Sequence, residues 1–296
     1  MLLMRFRGFF SSWVRAVIFS VCVICFSVRV LGVSAQSVGI AYCDVDRFYD
    51  TIPALFYNDS GFTPEGHLRW TSERYTNKVA RVAALADSLA LPLVALWGVE
   101  TEGVVRDIAA ACRNDYCYLH RTLNSLDGLD FALLYFADCF APHYVEPGRR
   151  YLYVEGVLRR YSARPPHYRV RKDTVGLLLC SEERMAPWVA RDLRQERPGA
   201  KLVILGRQPA QGLEIYGLRD AHVRAERAGR GNVRSRGGWR MRDRIAVDTA
   251  LRIGSGEVYI RRFLLDASQT QPLATYDRRR YLGGTSHALP VYVYLE

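Results

Sequence analysis

Apolar residues along this chain fall into two spacings, near-continuous short runs and helical stripes, and the two alternate. Residues 38–43 form a short apolar run, which predicts a buried strand, and a polar loop follows through Pro64, Glu65 and Gly66. Thr71 is placed to cap a helix that carries Tyr75, Val79, Val82, Ala86 and Leu89 on one face. Glu73 stands in its first turn, where a negative charge favours the helix N-terminus. Residues 93–99 predict a second buried strand, and Val104, Ile108 and Cys112 mark a short second helix.

Strands then crowd together at 116–120, 129–136, 151–158, 168–171 and 175–180, a succession that suggests antiparallel sheet. An amphipathic helix is predicted over 184–197, with Pro187 tolerable in its first turn, and a buried strand over 201–205. A segment rich in Gly and Arg runs on to Gly238, and further strands are predicted at 243–247, 258–263 and 291–295. No internal repeat or long linker interrupts the order. Two sheets packed face to face with helices outside accommodate these elements, which places the chain in the α/β class.

The first 35 residues stand apart. Arg5, Arg7 and Arg15 precede an apolar run over 17–28, and Val33, Ser34 and Ala35 supply the small residues that a signal peptidase reads. The run is shorter than the ~18 residues of a spanning helix. The expectation is a signal peptide cleaved near Ala35 and a chain delivered to the periplasm or cell surface, with an uncleaved signal anchor as the alternative. Residues 36–296 are then one domain without a transmembrane span, and the formal charge falls from +11 to +7. That surplus favours anionic neighbours such as nucleic acid, lipid headgroups or glycan phosphate, and selects none of them.

Cys43, Cys112, Cys117, Cys139 and Cys180 remain after cleavage, with no C-x-x-C pair to suggest a metal site. Export permits disulfides, and Cys112 with Cys117 could close a small loop, but most of the five lie in or beside apolar runs and read as buried thiols.

Five segments carry a resemblance. Residues 42–51, YCDVDRFYDT, are similar to F-Y-N-V-E-N-L-F-D-T, the opening of bacterial endonuclease/exonuclease/phosphatase proteins, the deoxyribonuclease-like superfamily. Gly61 to Gly66 with Trp70, Thr71, Arg74, Tyr75 and Lys78 resembles that family's F-T-P-E-G and W-T-x-x-R-Y-x-x-K segment, and DGLDFALLY at 127–135 its R-G-I-D-V-A-L-L-Y strand. Arg234, Gly237, Trp239 and Asp243 stand in register with G-T-Y-R-Y-x-G-x-W-x-x-I-D-x-I, and GGTSHALPV at 283–291 resembles G-G-x-S-D-H-x-P-V. The resemblance implies a four-layer α/β/β/α sandwich of two mainly antiparallel sheets flanked by helices, and an ancestral divalent-metal-dependent hydrolysis of phosphate esters.

Its catalytic positions are altered. By that resemblance the metal glutamate falls at Gly98, the Asp and Asn of the G-D-F-N loop at Arg207 and Pro209, and the terminal Asp-His pair at His287 and Ala288. The opening Asn becomes Asp44, which could bind a cation, and the N-H-W-P-S segment has no counterpart. General acid/base help is worth ~10²-fold to 10⁴-fold, and a metal contributes several kcal/mol more.

The expected protein is therefore an exported, catalytically silent phosphoesterase fold with a binding or assembly role and no cofactor. Asp130 and Asp243 match positions near the family's cleft, either catalytic or merely holding loops. Asp44 and Glu100, with Asp46 and Glu102, could rebuild a Mg2+ or Mn2+ site in an active alternative, although Glu100 and Glu102 also read as helix-start acids. His287 could replace the lost histidine, and Arg207 could grip a phosphate as a forked donor. Nine arginines between Arg219 and Arg244, interleaved with Gly and Trp239, would suit nucleic acid or an anionic glycan. They also reflect a chain with 38 Arg and 3 Lys.

Overall fold

The computed structural model describes residues 37–164 and 167–296, so the expected leader over 1–35 lies outside the described residues. By internal contacts the body comprises Ser37–Arg160 and Val170–Glu296, and the description concerns that body. Its first strand, β1 (Val38–Phe48), is buried at every position but Arg47. A strand covered on both faces belongs inside a sheet. It pairs parallel with β2 (Leu93–Val99) and antiparallel with β16 (Val291–Leu295). With β3 (Cys117–Arg121), β4 (Asp130–Tyr135) and β13 (Ile253–Val258), the first sheet has the order β13-β16-β1-β2-β4-β3.

The second sheet is built from β5 (Phe140–Gly148), β6 (Tyr151–Arg164), β7 (His167–Cys180), β8 (Lys201–Arg207), β9 (Leu218–Asp220) and β12 (Asp243–Asp248). Its order is β5-β6-β7-β8-β12-β9, with β7 and β8 parallel. Two small ribbons pair β10 (Val233–Ser235) with β11 (Gly238–Arg240) and β14 (Tyr276–Asp277) with β15 (Arg280–Tyr281).

Alternation along the strands makes the layers. Leu177, Leu179, Val203, Leu205, Ile245 and Val247 join the core between the sheets, while Leu178, Leu202, Ile204 and Ala246 point the other way. That outer face is covered by Ala186, Val189, Ala190 and Leu193 of α3 (Met185–Glu196). The first sheet is covered by α1 (Ser72–Leu89) and α2 (Glu102–Ala111), which contribute Val82, Leu85, Ala86, Val104 and Ile108 to the core. The Thr71 side chain accepts from Arg74 N at 3.4 Å and that of Thr101 from Val104 N at 3.3 Å, so both helices are capped at the start. A short α4 (Val223–Arg227) lies in the arginine-rich segment. The result is the four-layer α/β/β/α sandwich.

Three strand expectations change. The runs at 168–171 and 175–180 join into one β7, since Lys172 to Thr174 continue the ladder between them. A strand expected at 258–263 lies instead at Ile253–Val258; its Gly254, Ser255 and Gly256 hide it from an apolar pattern, and Ile260 and Phe263 beyond it are exposed. Strand β5 was unexpected because Pro142 and Pro147 interrupt it, which a sheet edge tolerates. Cys43 and Cys180 are buried, Cys112 and Cys139 partly so, and Cys117 is exposed; all five are free thiols. Among the described residues, no helix is long and apolar enough to cross a membrane.

Phe131 on β4 is fully buried, its ring 4.4 Å from that of Trp97. Phe131→Ala is expected to cost about 3–5 kcal/mol, read from the midpoint of urea unfolding.

Candidate functional site

The C-terminal ends of β1, β2 and β8 meet the starts of β4 and β12 at one end of the sandwich. Two carboxylates face each other there from different sheets. Asp44 comes from β1 and Asp243 opens β12, with side chains only 4% and 1% exposed. Between them lies the guanidinium of Arg242. Its Nη2 donates to Asp44 Oδ2 and to Asp243 Oδ2, both at 2.7 Å, and its Nε reaches Asp243 Oδ1 at 3.1 Å. Burial opposes the charge on Arg242, but Asp243 and Asp44 outweigh it and raise its pKa further.

The same cation organises what surrounds it. Arg242 Nη1 lies 2.6 Å from His287 Nε2. Arginine can only donate, so Nε2 accepts and the ring proton sits on Nδ1, 3.5 Å from Asp46 Oδ1. Burial resists ionisation of Asp46, but a hydrogen bond from His287 and the charge of Lys78 hold its carboxyl well below the usual range. Lys78 is itself buried and donates from Nζ to the Asp46 carbonyl at 2.6 Å; burial draws its pKa down to about 8. Asn232 completes the cluster, donating to Asp243 Oδ2 at 2.7 Å while its Oδ1 accepts from Arg242 N at 2.8 Å.

Of the residues singled out in the sequence, Asp44, Asp243 and His287 come together here. Arg207 stands at the rim, opposite Asp243 in the β8/β12 register, with Nη2 3.9 Å from Asp44 Oδ2. Asp130 is not in the cluster. Its Oδ1 accepts from Leu123 N at 2.8 Å, and its Oδ2 lies 3.2 Å from His120 Nε2, so it holds the loop before β4. Glu100 is also elsewhere: its oxygens accept from Asp50 N at 2.6 Å and from Tyr57 Oη at 2.9 Å. Arg242, Asn232 and Lys78 went unrecognised as a set. The one available signal for Arg242 was its place directly before the matched Asp243.

A model of the endonuclease/exonuclease/phosphatase family matches residues 39–157. Humanized D. rerio TDP2 carrying 14 mutations is 10% identical over 88% of this chain and 99% of that one, with a TM-score of 0.54. An endonuclease/exonuclease/phosphatase from Bacteroides vulgatus is 11% identical over 88% and 99%, with a TM-score of 0.53. The fold is that of the endonuclease/exonuclease/phosphatase superfamily. The mannosyl-6-phosphatase of Bacteroides thetaiotaomicron VPI-5482 is similar as well, 12% identical over 88% of this chain and 100% of that one, with a TM-score of 0.50. No curated protein matches in sequence. Likeness at such identity shows the fold alone, so the chemistry rests on the residues of this chain.

Those residues do not fit the divalent ion that an endonuclease/exonuclease/phosphatase site implies. Magnesium needs converging oxygen donors. Gly98 lies in a bulge of β2 at φ +91°, and a Cβ built on it would stand 4.0 Å from Asp44 Oδ1. The position faces Asp44 and brings no donor. Asp44 and Asp243 both direct an oxygen at Arg242, and among the described residues no three His, Cys, Asp or Glu side chains gather as a metal set.

Two outcomes follow from these contacts. Removing one partner of a buried ion pair leaves the other uncompensated. Arg242→Ala is expected to destabilise the fold by about 3 kcal/mol at neutral pH in urea unfolding, the low end for a buried pair because the guanidinium keeps some contact with water. Burial raises the Glu100 carboxyl to about 7. A raised folded-state pKa stabilises at low pH, and the gain is lost as pH climbs through that value. Glu100→Gln should therefore flatten the decline in stability between about pH 5 and about pH 8, measured as the urea midpoint against pH.

Proposed function

We propose that this protein is an exported member of the endonuclease/exonuclease/phosphatase family that has lost phosphoester hydrolysis and retains a binding or assembly role toward phosphate-bearing ligands. The observation that carries this reading is the guanidinium of Arg242 held between Asp44 and Asp243. A fixed cation there repels a divalent metal, and a guanidinium does not take a proton from water near neutral pH. Ala288, next to His287, has no group to offer in place of an imidazole. Export rests on the leader-like residues 1–35 and places the mature chain in the periplasm or at the cell surface.

Binding is supported by a neighbouring cleft of about 580 Å³ lined by Arg240, Gln208 and Trp239 together with Arg230, Arg242 and Arg244, which are paired with Glu257, with Asp44 and Asp243, and with Asp220 and Glu226. Guanidinium forks suit phosphate, and an indole beside them suits a base or sugar face.

Asp44, Asp46, Asp243 and His287 sharing one neighbourhood favours a second reading, a rebuilt Mg2+- or Mn2+-dependent phosphodiesterase or nuclease, in which Arg242 would have to leave the carboxylates. One assay separates the two. Purified protein with Mg2+ or Mn2+ is offered DNA, nucleotides, phospholipid and a chromogenic phosphodiester, and no turnover above blank is expected. Turnover abolished by Asp243→Ala would retire the proposal. The ligand arm is a fluorescent oligonucleotide titration, in which affinity should fall steeply with salt. Affinity indifferent to salt would remove the anionic ligand.

A further inference from the structure

Single apolar side chains scattered over a surface need no explanation, but large ones crowded on one loop do. The loop after β1 carries three within five residues: Ile52 is 70% exposed, Leu55 90% and Phe56 95%. Leu126, 88% exposed, stands on the loop that precedes β4. The bases of the two loops are joined, since Tyr49 Oη donates to the Asp127 carbonyl at 2.8 Å and the Tyr57 ring fills the space where Gly128 lacks a Cβ.

The first loop is held from beneath. Glu100 binds both of its ends through Asp50 N and Tyr57 Oη, and the two oxygens of Asp59 accept from Ala54 N at 3.1 Å. The anchors are polar and inward; the tip is apolar and outward. Around it stand arginines. Arg47, 51% exposed, lies over the Phe62 ring at 5.3 Å, and that ring is 4.5 Å from the Tyr49 ring. Exposed Arg121 ends β3 where the second loop leaves it, whereas Arg150 is taken up by Asp127 at 3.3 Å and Glu182 at 3.2 Å. Of the acids near these loops, Asp59 and Glu100 are buried, Asp46 lies 3.6 Å from Arg47, Asp127 is paired with Arg150, and half-buried Asp50 turns an oxygen to Ile52 N at 2.7 Å.

An apolar tip with the exposed guanidiniums of Arg47 and Arg121 at the bases of its loops matches a phase with an oily interior and an anionic surface. We infer that this end of the molecule docks on an anionic lipid bilayer, with Ile52, Leu55, Phe56 and Leu126 entering the acyl boundary and Arg47 and Arg121 meeting the headgroup phosphates. The inference is independent of whether the cleft hydrolyses anything.

The test uses the full chain with Phe56→Trp, compared with the unmodified chain to subtract its native tryptophans. On vesicles of phosphatidylcholine with phosphatidylglycerol, the added emission should shift to the blue and be quenched by bromine on the acyl chains. Phosphatidylcholine alone should give much less, and salt should weaken the response. Leu55→Ser with Phe56→Ser should lower vesicle partitioning at least about tenfold, since each exposed side chain loses its apolar transfer. Both substitutions lie on the tip, so the circular dichroism spectrum should not change. Absence of quenching overturns the inference, as does partitioning that the double variant leaves intact, which would assign binding to residues 1–35. A blue shift that grows with protein concentration without lipid also overturns it and makes the patch a contact between copies.

Discussion

Two buried carboxylates from different sheets share one guanidinium, and the end of this sandwich is organised around that fact. Asp44 belongs to β1 and Asp243 to β12, so the Arg242 contacts at 2.7 Å tie the sheets together where their hydrogen-bonded ladders cannot. Uncompensated, either charge would be costly in so dry a place. A mobile divalent ion is one way to balance such a pair. Here the balance is covalently part of the chain, present whatever the metal supply, and His287, Asp46, Asn232 and Lys78 are arranged in its hydrogen-bonded surroundings.

The rest of the fold presents this end. Period-two alternation in β7, β8 and β12 sends one set of aliphatic side chains between the sheets and the other toward α3, so the second sheet cannot slip by one residue without exposing both sets. With register fixed, Asp243 must stand opposite Arg207, and Asp44 must stand beside the bulge at Gly98. The loops near the same strand ends differ in what they expose. One gathers arginines beside Trp239, and another raises Leu55 and Phe56 into solvent. Polar cleft and apolar tip are thus neighbours by topology.

Legibility in the sequence followed how local each feature is. Helices capped by Thr71 and Thr101 and the apolar core strands were readable because their signals lie within one element. Strand β13 was displaced and β5 missed because edge strands with Gly or Pro lack an apolar signature. At the site, the resemblance brought Asp44, Asp243 and His287 forward, and the structure does gather them. It also put Asp130 forward, and Glu100 stood as a possible displaced metal ligand, although one holds the loop before β4 and the other clamps the loop after β1. A carboxylate one strand away looks the same in a sequence as one in the cluster.

The pattern of apolar spacing, with five ordered motifs, was enough for the sandwich class, since burial of alternating faces is a property of each strand. At Gly98, Arg207 and Ala288 the sequence also differs visibly from the motifs it resembles. Which groups meet at that end was decided only in three dimensions. Arg242 is one of nine arginines in its stretch, and its place beside Asp243, which Arg244 shares, is all that marks it locally. Its role arises from the packing of β12 against β1, which brings a carboxylate 198 residues away within hydrogen-bond reach. Charge pairing of this kind depends on distance in space, and distance in space is set by the sheets as a whole.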